Sequence, residues 1–270
     1  MTGTSILSGL RVLVTRPQDQ AATLAAAIGE AGGVAVLAPL MRIEPLADPS
    51  SQQHIRQRIQ QLDHYDLVIF ISTNAARLGA GWIDRYWPQL PQGLTLVAIG
   101  PATARELQAL DGAITVAPGG MRSEDLLSLP VLTAVQGKRI LVMRGRGGRE
   151  VLADTLRLRG ARVDYVELYE RHPVNYPLGS LPALLRDRQV NVLTVTSSEI
   201  LSALVTALVT PQGNPPDSNV GPWGLLPLLV PSERVQAAAH EAGFTTVINV
   251  HGADEEAMLQ GLRSLVDGHR

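Results

Sequence analysis

The sequence predicts an α/β protein of two similar lobes, each a parallel sheet with helices on both faces. The chain has 270 residues, and at about 150 residues per domain this length suits one large or two small domains. Short, continuously apolar runs alternate with helical patterns along the chain, which is typical of parallel strands buried on both faces. Two 35-residue segments also resemble each other, with nine identical positions, which indicates two lobes of similar structure.

The first strand and helix show the pattern that later segments repeat. A strand is expected at 11–14 (RVLV) and a helix at 18–31, whose apolar residues recur at i, i+4 and i+7 before a glycine pair ends it. The next extended run, 34–43, is interrupted by Pro39. Further elements are expected as strands at 67–71, 94–99, 140–143, 192–195, 228–230 and 245–250, and as a helix at 102–110.

The internal repeat aligns Arg11–Pro45 with Arg139–Pro173 at a constant offset of 128, without a gap. Most identical positions are core or turn residues, which a shared strand–helix–strand geometry would produce by itself. Arg16 and Arg144 differ, because each lies at the carboxyl end of the first strand of its copy, where α/β proteins bind ligands. The nine identical pairs are Arg11/Arg139, Leu13/Leu141, Val14/Val142, Arg16/Arg144, Leu24/Leu152, Ala25/Ala153, Gly32/Gly160, Leu40/Leu168 and Pro45/Pro173.

The repeat also predicts where the lobes begin and end. Both copies end at a proline, Pro45 or Pro173, and the stretch between them is long enough for one complete lobe. We therefore expect a discontinuous first domain and a ligand cleft between the lobes. The turn-rich segment 210–224 is expected to be a surface loop. The expected limits are 1–36 plus 174–270 for domain 1, 46–165 for domain 2, and 37–45 and 166–173 for two linker strands.

The composition excludes several kinds of chemistry. Without cysteine there is no thiol nucleophile, cysteine–zinc site, iron–sulfur cluster or disulfide. Lys138 is the only lysine and precedes Arg139, so a P-loop is absent. A net charge of −2 opposes bulk attraction to nucleic acid or a membrane surface. The N-terminus lacks a signal-peptide pattern and the run 225–230 is too short to span a bilayer, so we expect a cytoplasmic protein.

The expected strand-end loops carry hydroxyls, glycines and arginines, which suit anions at helix N-termini. Arg16 and Arg144 are candidates for a carboxylate or phosphate clamp, since arginine binds both groups through a planar fork. The loop 144–149 (RGRGGR) lacks the G-x-G-x-x-G order, which weakens a dinucleotide-binding interpretation. It also resembles a short Arg-Gly nucleic-acid segment, and a solvated loop that begins a helix is the structural alternative.

The hydroxyl side chains at these strand ends have two compatible interpretations. They are typical helix N-caps or first-turn residues, and the same helix ends can contact a ligand. Tyr169 is expected on a linker strand, where its role is either packing or a hydroxyl in the cleft. The candidate hydroxyl residues are Ser72, Thr73, Thr103, Ser197, Ser198 and Ser232.

Six motifs, taken in order, resemble the uroporphyrinogen-III synthase family. The resemblance covers about 11–265, and it rests on the order of the motifs together with the discontinuous repeat, since each motif alone is common. It implies two α/β lobes joined by a two-stranded ladder. The motifs are VTRP (14–17), IFISTNA (69–75), VAIGPATA (97–104), SEDLL (123–127), RGRGGREVL (144–152) and LYERHP (168–173).

The resemblance implies an enzyme that cyclises hydroxymethylbilane, a linear tetrapyrrole polycarboxylate, to uroporphyrinogen III. Water is lost and ring D is inverted through a spiro intermediate. The family uses no metal and no cofactor, so the implied partner is the small-molecule substrate alone, and we expect a monomer. A non-catalytic two-lobed module for an anionic metabolite and a transferase of the glycosyltransferase type are the competing classes.

The resemblance also assigns roles to residues. Tyr169 matches the family's linker-strand tyrosine, the candidate acid, and Ser72, Thr103 and Ser197 match positions that face the substrate. This chain departs from the family where many members have Gly-Pro-x-Thr-Ala, because it has VPSER at 230–234. Ser232 can still cap a helix and contact substrate. The glutamate after it would repel a substrate carboxylate unless the neighbouring arginine neutralises it.

Overall fold

The computed structural model describes residues 6–117, 123–148, 150–209 and 220–267. The chain divides into two compact units, of which unit 1 is Met1–Arg42 with His172–Arg270 and unit 2 is Ile43–Arg171. Each unit contains one largely parallel sheet with helices, so the predicted α/β class with two parallel sheets is confirmed. That the predicted limits bound two separate domains stays a prediction.

Eleven strands and eleven α-helices make up the described part of the chain. The strands are β1 (Arg11–Val14), β2 (Val34–Leu37), β3 (Met41–Pro45), β4 (Leu67–Phe70), β5 (Thr95–Ala98), β6 (Ile114–Val116), β7 (Arg139–Gly145), β8 (Arg162–Pro173), β9 (Val192–Thr194), β10 (Leu228–Val230) and β11 (Val247–Asn249). The helices are α1 (Gln18–Glu30), α2 (Pro49–Gln60), α3 (Thr73–Tyr86), α4 (Pro101–Arg105), α5 (Ser123–Leu127), α6 (Pro130–Thr133), α7 (Val151–Leu158), α8 (Ser180–Asp187), α9 (Ser198–Ala207), α10 (Glu233–Glu241) and α11 (Glu255–Asp267).

Unit 1 is built on a five-stranded sheet with the order β2-β1-β9-β10-β11, in which all neighbouring strands are parallel. Residues of β1 alternate between two cores, as strand geometry requires. Leu13 packs with residues of α8, α9 and α10, whereas Val12 and Val14 pack with residues of α1 and α11. Burial on both faces explains why these strands read as continuous apolar runs.

Unit 2 has a six-stranded sheet with the order β3-β8-β7-β4-β5-β6, and its strands from β8 to β6 are parallel. Side chains of its central strand β4 alternate between two cores, as those of β1 do. Val68 and Phe70 pack with residues of α2 and α3, whereas Leu67 and Ile69 pack with residues of α5, α6 and α7. Both units are therefore sheets covered by helices on both faces.

The two units repeat the same strand order. Strands β2-β1-β9-β10-β11 of unit 1 correspond to β8-β7-β4-β5-β6 of unit 2, with β1 and β7 from the two copies of the sequence repeat. The copies differ at Pro39, which has no N–H to donate and separates β2 from β3, whereas β8 runs unbroken. Hydrogen bonds from Leu46 N to Leu168 O and from Val174 N to Leu40 O give β3 and the end of β8 an antiparallel register.

One expected element differs from the structure, and another lies mostly outside the described residues. The helix predicted at 102–110 is α-helical only to Arg105, and the chain continues in i→i+3 turns that bury Leu107 and Leu110. Such turns align residues three apart, which explains why the periodicity resembled a helix. Of the predicted loop 210–224, residues 210–219 lie outside the described ranges, and a 3₁₀ turn covers Gly221–Leu225. No helix in the described ranges is long and apolar enough to cross a membrane.

Candidate active site

Three serines follow strands β4, β9 and β10 and share one backbone conformation at the start of a helix. Their φ/ψ angles are −165°/159° at Ser72, −159°/164° at Ser197 and −164°/160° at Ser232. This extended conformation is the one that an N-cap adopts, and the expectation that serines begin these helices is confirmed. Thr73 and Ser198 are the first residues of α3 and α9.

Two of these three serines cap their helices through the side-chain hydroxyl, and the third does not. Ser72 Oγ accepts from the Ala75 N–H at 3.0 Å, and Ser197 Oγ accepts from the Ile200 N–H at 3.2 Å. Ser232 has the same backbone but makes no side-chain capping bond within the described chain. Its hydroxyl is therefore not committed to its own helix.

Tyr169 and Ser72, both predicted site residues, are in contact. The phenol oxygen lies 3.0 Å from Ser72 Oγ, and either hydroxyl can be the donor. Only 4% of Tyr169 is exposed, and its ring belongs to the core of unit 2. Packing and a polar contact at the strand end are thus combined in one residue. Thr103, in the first turn of α4, is also buried.

The predicted clamp requires a free guanidinium at Arg144, but the structure shows a guanidinium with partners. Arg144 is 4% exposed, and its guanidinium carbon lies 4.5 Å from the centre of the Tyr165 ring. All three nitrogens donate to groups of the same unit, so the side chain organises its own loop. Residues Arg146, Gly147 and Gly148 of the loop fit the solvated alternative, since they are exposed. The acceptors are Gly145 O for Nε (3.3 Å), Glu150 Oε1 for Nη1 (3.0 Å), and Gly147 O and Gly148 O for Nη2.

Glu150 connects Arg144 to Tyr165. The Tyr165 hydroxyl donates to Glu150 Oε2 at 2.7 Å, and this bond, followed by the contact with Arg144, lowers the pKa of the carboxyl. Burial, with the bond to Glu150 as the next cause, raises the pKa of Tyr165 to about 12. The carboxylate, the guanidinium and the neutral phenol therefore stabilise one another at neutral pH.

Arg146, the second arginine of this loop, also has partners within unit 2. It donates to Glu167 Oε2 at 3.4 Å and to Ser51 Oγ at 2.9 Å, and it pairs with Glu170. Sequence reasoning missed the acidic partners of both arginines, which depend on strand register and loop closure. The last arginine of the motif, Arg149, lies outside the described residues.

Arg16 has a different environment at the equivalent strand end of unit 1. One nitrogen donates to Ala253 O, in the segment before α11. Its Nε is buried and has no partner among the described residues. Burial lowers the pKa of the guanidinium, and the charges of Asp254 and Glu255 oppose that effect. Arg16 therefore keeps a donor that no described protein group uses. No group of three or more possible metal ligands occurs within the described ranges.

The fold and these strand ends define a class: an α/β protein of two equivalent units whose helix starts suit anionic ligands. The family model of uroporphyrinogen-III synthase HemD matches residues 22–260, and the chain belongs to this family. The resemblance identified from the motifs is confirmed.

Two relatives carry the family name. Uroporphyrinogen-III synthase of Escherichia coli (strain K12) is 32% identical over an aligned length of 272, and the match covers 94% of this chain and 100% of that protein. The Salmonella typhimurium (strain LT2) protein of the same name is 34% identical over 259 residues, with the same coverage of 94% and 100%.

Two solved structures share the fold. A mutant uroporphyrinogen III synthase from the extremely thermophilic bacterium Thermus thermophilus matches with a TM-score of 0.57 at 20% identity, covering 96% of this chain and 100% of that chain. The Helicobacter pylori synthetase matches with a TM-score of 0.56 at 16% identity, covering 95% of this chain and 99% of that chain. At these identities the likeness is one of fold.

Proposed function

We propose that this chain is a uroporphyrinogen-III synthase, a cyclising hydro-lyase of tetrapyrrole biosynthesis that converts hydroxymethylbilane to uroporphyrinogen III. The observation that carries the proposal is full-length similarity: relatives with this name are 32–34% identical and are covered over 100% of their length. The equivalent strand order of the two units supports the same conclusion, because it is the architecture that the family motifs imply.

The reaction needs control of geometry more than a reactive side chain. The terminal hydroxyl leaves ring A as water when its C–O bond breaks, which gives a pyrrole-stabilised electrophile. Ring D attacks through its substituted α-carbon, and the spiro intermediate then breaks that carbon's bond to the bridging carbon of the neighbouring ring. The unsubstituted α-carbon of ring D bonds to this bridging carbon and loses its proton, which balances the proton that left in the water, and ring D is thereby inverted. Because the substrate also closes unaided to the uninverted isomer, the enzyme accelerates one route by holding one conformation.

We assign Tyr169 as the acid that assists the leaving hydroxyl. Ser72 Oγ accepts from the Ala75 N–H, so the serine's own hydrogen is available for the phenol oxygen 3.0 Å away. In that arrangement the phenol O–H is free to donate to the leaving group. The hydrogen bond observed between Ser72 and Tyr169 supports this role for the tyrosine.

Substrate carboxylates are assigned to strand ends in each unit. Arg16 supplies an unused buried donor, and helix N-termini supply backbone N–H groups and partial positive charge. Arg144 acts in this proposal through the loop that it orders, since its own nitrogens are occupied. The Gly148 N–H of that loop is then assigned to substrate, because the N–H groups of Arg146 and Gly147 already donate to Tyr169 O and Glu167 Oε1. The remaining binding candidates are Thr73, Thr103, Ser197, Ser198 and Ser232.

We further propose that the enzyme is a cytoplasmic monomer that needs neither metal nor cofactor and binds no nucleic acid. A net charge of −2 is consistent with weak attraction to polyanions. Sedimentation of the active protein tests the monomer, and assays in the presence of a chelator test metal independence. A dimer, or activity that the chelator abolishes, would contradict the corresponding part.

The decisive experiment supplies hydroxymethylbilane to the purified chain and separates the uroporphyrinogen isomers. We expect the type III isomer with enzyme and the type I isomer without it, and heat-denatured protein is the matched control. Binding of the substrate without a change in isomer would identify the non-catalytic binding module instead. Type I product alone rejects the proposed activity.

A further inference from the structure

A β-bulge changes the direction of Tyr169 at the end of β8. Arg144 of β7 pairs with Glu167, but the next residue, Gly145, pairs with Tyr169, so Leu168 has no opposite partner. Side chains alternate along a regular strand, yet Leu168 and Tyr169 lie in the same core. The extra residue of the bulge causes this, and bulges are known to re-aim side chains in this way.

Gly145 gives the Tyr169 ring the space that it occupies. A Cβ atom on Gly145 would lie 2.6 Å from both Cε2 and Cζ of the ring and 3.1 Å from the phenol oxygen. The backbone of Gly145 is not among the positive-φ positions. Glycine is therefore required here by the ring and not by the backbone conformation.

Ser72 fixes the other end of the tyrosine. Its Oγ is held by the Ala75 N–H at 3.0 Å and lies 3.0 Å from the phenol oxygen. The backbone of Tyr169 is held as well, since its carbonyl accepts from the Arg146 N–H at 2.7 Å. The ring is thus confined between a glycine and a helix cap within one unit.

We propose that Gly145, through the bulge it shares with Tyr169, is a positioning residue that sets where the phenol hydroxyl lies. The proposal rests on the proposed function, in which that hydroxyl assists the leaving group. A side chain at position 145 displaces the ring from Ser72. Misplacement of a reacting group by about 1 Å costs up to about a hundred-fold in rate.

The test is the G145A variant, compared with Gly79→Ala as a matched control. A Cβ on Gly79 would meet Met143 Sδ at 2.5 Å and Phe70 Cε1 at 2.9 Å, which is similar crowding in the same unit. It would only reach ordinary van der Waals distance, 3.4 Å, from Leu168 Cδ1. We expect G145A to lower kcat about ten-fold to a hundred-fold while KM stays within about two-fold of the unmodified enzyme. G79A should be less stable and keep its kcat per folded molecule. Equal kcat losses in the two variants would overturn the proposal.

A second readout does not depend on activity. The chain has five tyrosines, so ¹³Cζ-labelled tyrosine gives five resonances, and Y169F identifies that of Tyr169. In G145A this resonance should shift while the other four stay in place. An unshifted resonance overturns the proposal even when the enzyme is active. If the unmodified enzyme makes only the type I isomer, the proposed function fails, whereas the resonance still decides whether Gly145 positions the ring.

Two double variants complete the design. If Gly145 acts through the hydroxyl, the kcat loss of G145A should largely disappear in the Y169F background, and an undiminished loss contradicts the proposal. If G145A does not fold, G145A/Y169A should fold as well as Y169A, because the clashing ring is gone. Failure of G145A/Y169A where Y169A folds would show that the crowding does not come from the ring.

Discussion

Arg16 and Arg144 occupy the same position in the two copies of the repeat, yet their environments differ. Arg144 is buried against a tyrosine ring and donates from every nitrogen, whereas Arg16 keeps a buried Nε without a partner among the described residues. The residues that align at the repeat offset of 128 explain this difference in environment. At the positions of Glu150 and Tyr165, unit 1 has Ala22 and Leu37.

The residues around each arginine thus decide whether its guanidinium is bound within the protein. A carboxylate and a ring nearby make Arg144 structural. Their replacement by apolar residues leaves Arg16 with one backbone acceptor and the more distant charges of Asp254 and Glu255. Structural equivalence in a repeat therefore predicts the position of an arginine, and it does not predict whether its guanidinium keeps an unused donor.

The largest effect should follow from removing the structural arginine. Arg144→Leu leaves several backbone carbonyls and Glu150 without their donor, so we expect the free energy of unfolding to fall by about 3 kcal/mol. Arg16→Leu should cost about 1 kcal/mol, since only its bond to Ala253 O is lost and its Nε has none. Urea unfolding of both variants measures the difference. R144K is the control for charge alone, and it should recover less than half of the loss because lysine lacks the fork. Equal losses in R16L and R144L would remove the distinction between the two sites.

The second effect concerns the substrate. Arg16→Leu should raise KM for hydroxymethylbilane about ten-fold, equivalent to ~1.4 kcal/mol, with kcat nearly unchanged, because a carboxylate contact made in both ground and transition states is lost. Initial rates over a range of hydroxymethylbilane concentrations give KM and kcat separately. Arg56→Leu, on the exposed part of α2, is the matched control and should behave as the unmodified enzyme. An R16L enzyme with an unaltered KM rules out the binding role.

Smaller effects should separate the capping serines. Ser197→Ala removes a bond to a helix N–H, so stability should fall by about 1 kcal/mol, whereas Ser232→Ala should change it by less than about 0.3 kcal/mol. Thermal and urea unfolding provide the comparison. If S232A proves as destabilising as S197A, the Ser232 hydroxyl does cap its helix, and its availability to a ligand is disproved.

The smallest effect is a dependence on pH at Glu150, whose side chain is 51% exposed. Because its pKa in the folded protein is lowered from 4.5, its contribution to stability is complete above that value and is lost as pH falls through the folded pKa. We expect Glu150→Gln to cost about 0.5 kcal/mol at neutral pH, a figure reduced for solvent screening, and nothing at strongly acid pH. Unfolding of both proteins between neutral and acid pH checks the sign. A difference that grows as pH falls would contradict the account.

The fold could be predicted from the sequence in large part. Continuous apolar runs located most of the strands, β10 with the same limits as expected, because strands buried on both faces have a simple pattern. Strand β6, a short run of three residues, was not among the expected strands. The gapless repeat predicted two units with one architecture. The extent of α4 could not be predicted, since i→i+3 turns and a helix place apolar residues at similar spacing.

Less of the candidate site could be predicted. The capping serines were visible as hydroxyls after apolar runs. The partners of Arg144 were not, because Tyr165 reaches it only through the register of β7 and β8, and Glu150 only through closure of the loop. The adjacent apolar pair Leu168 and Tyr169 was a signal for the bulge, since it breaks strand alternation, but the same pair also suits a linker strand.

The most direct measurement of the central claim is the isomer composition of uroporphyrinogen as the enzyme concentration is raised at fixed hydroxymethylbilane. Enzymatic and unaided closure compete for the same substrate. We predict that type III product increases with enzyme until it replaces type I, and that R16L needs more enzyme than the unmodified chain to reach the same ratio. Type I product alone at every enzyme concentration would contradict the proposed function.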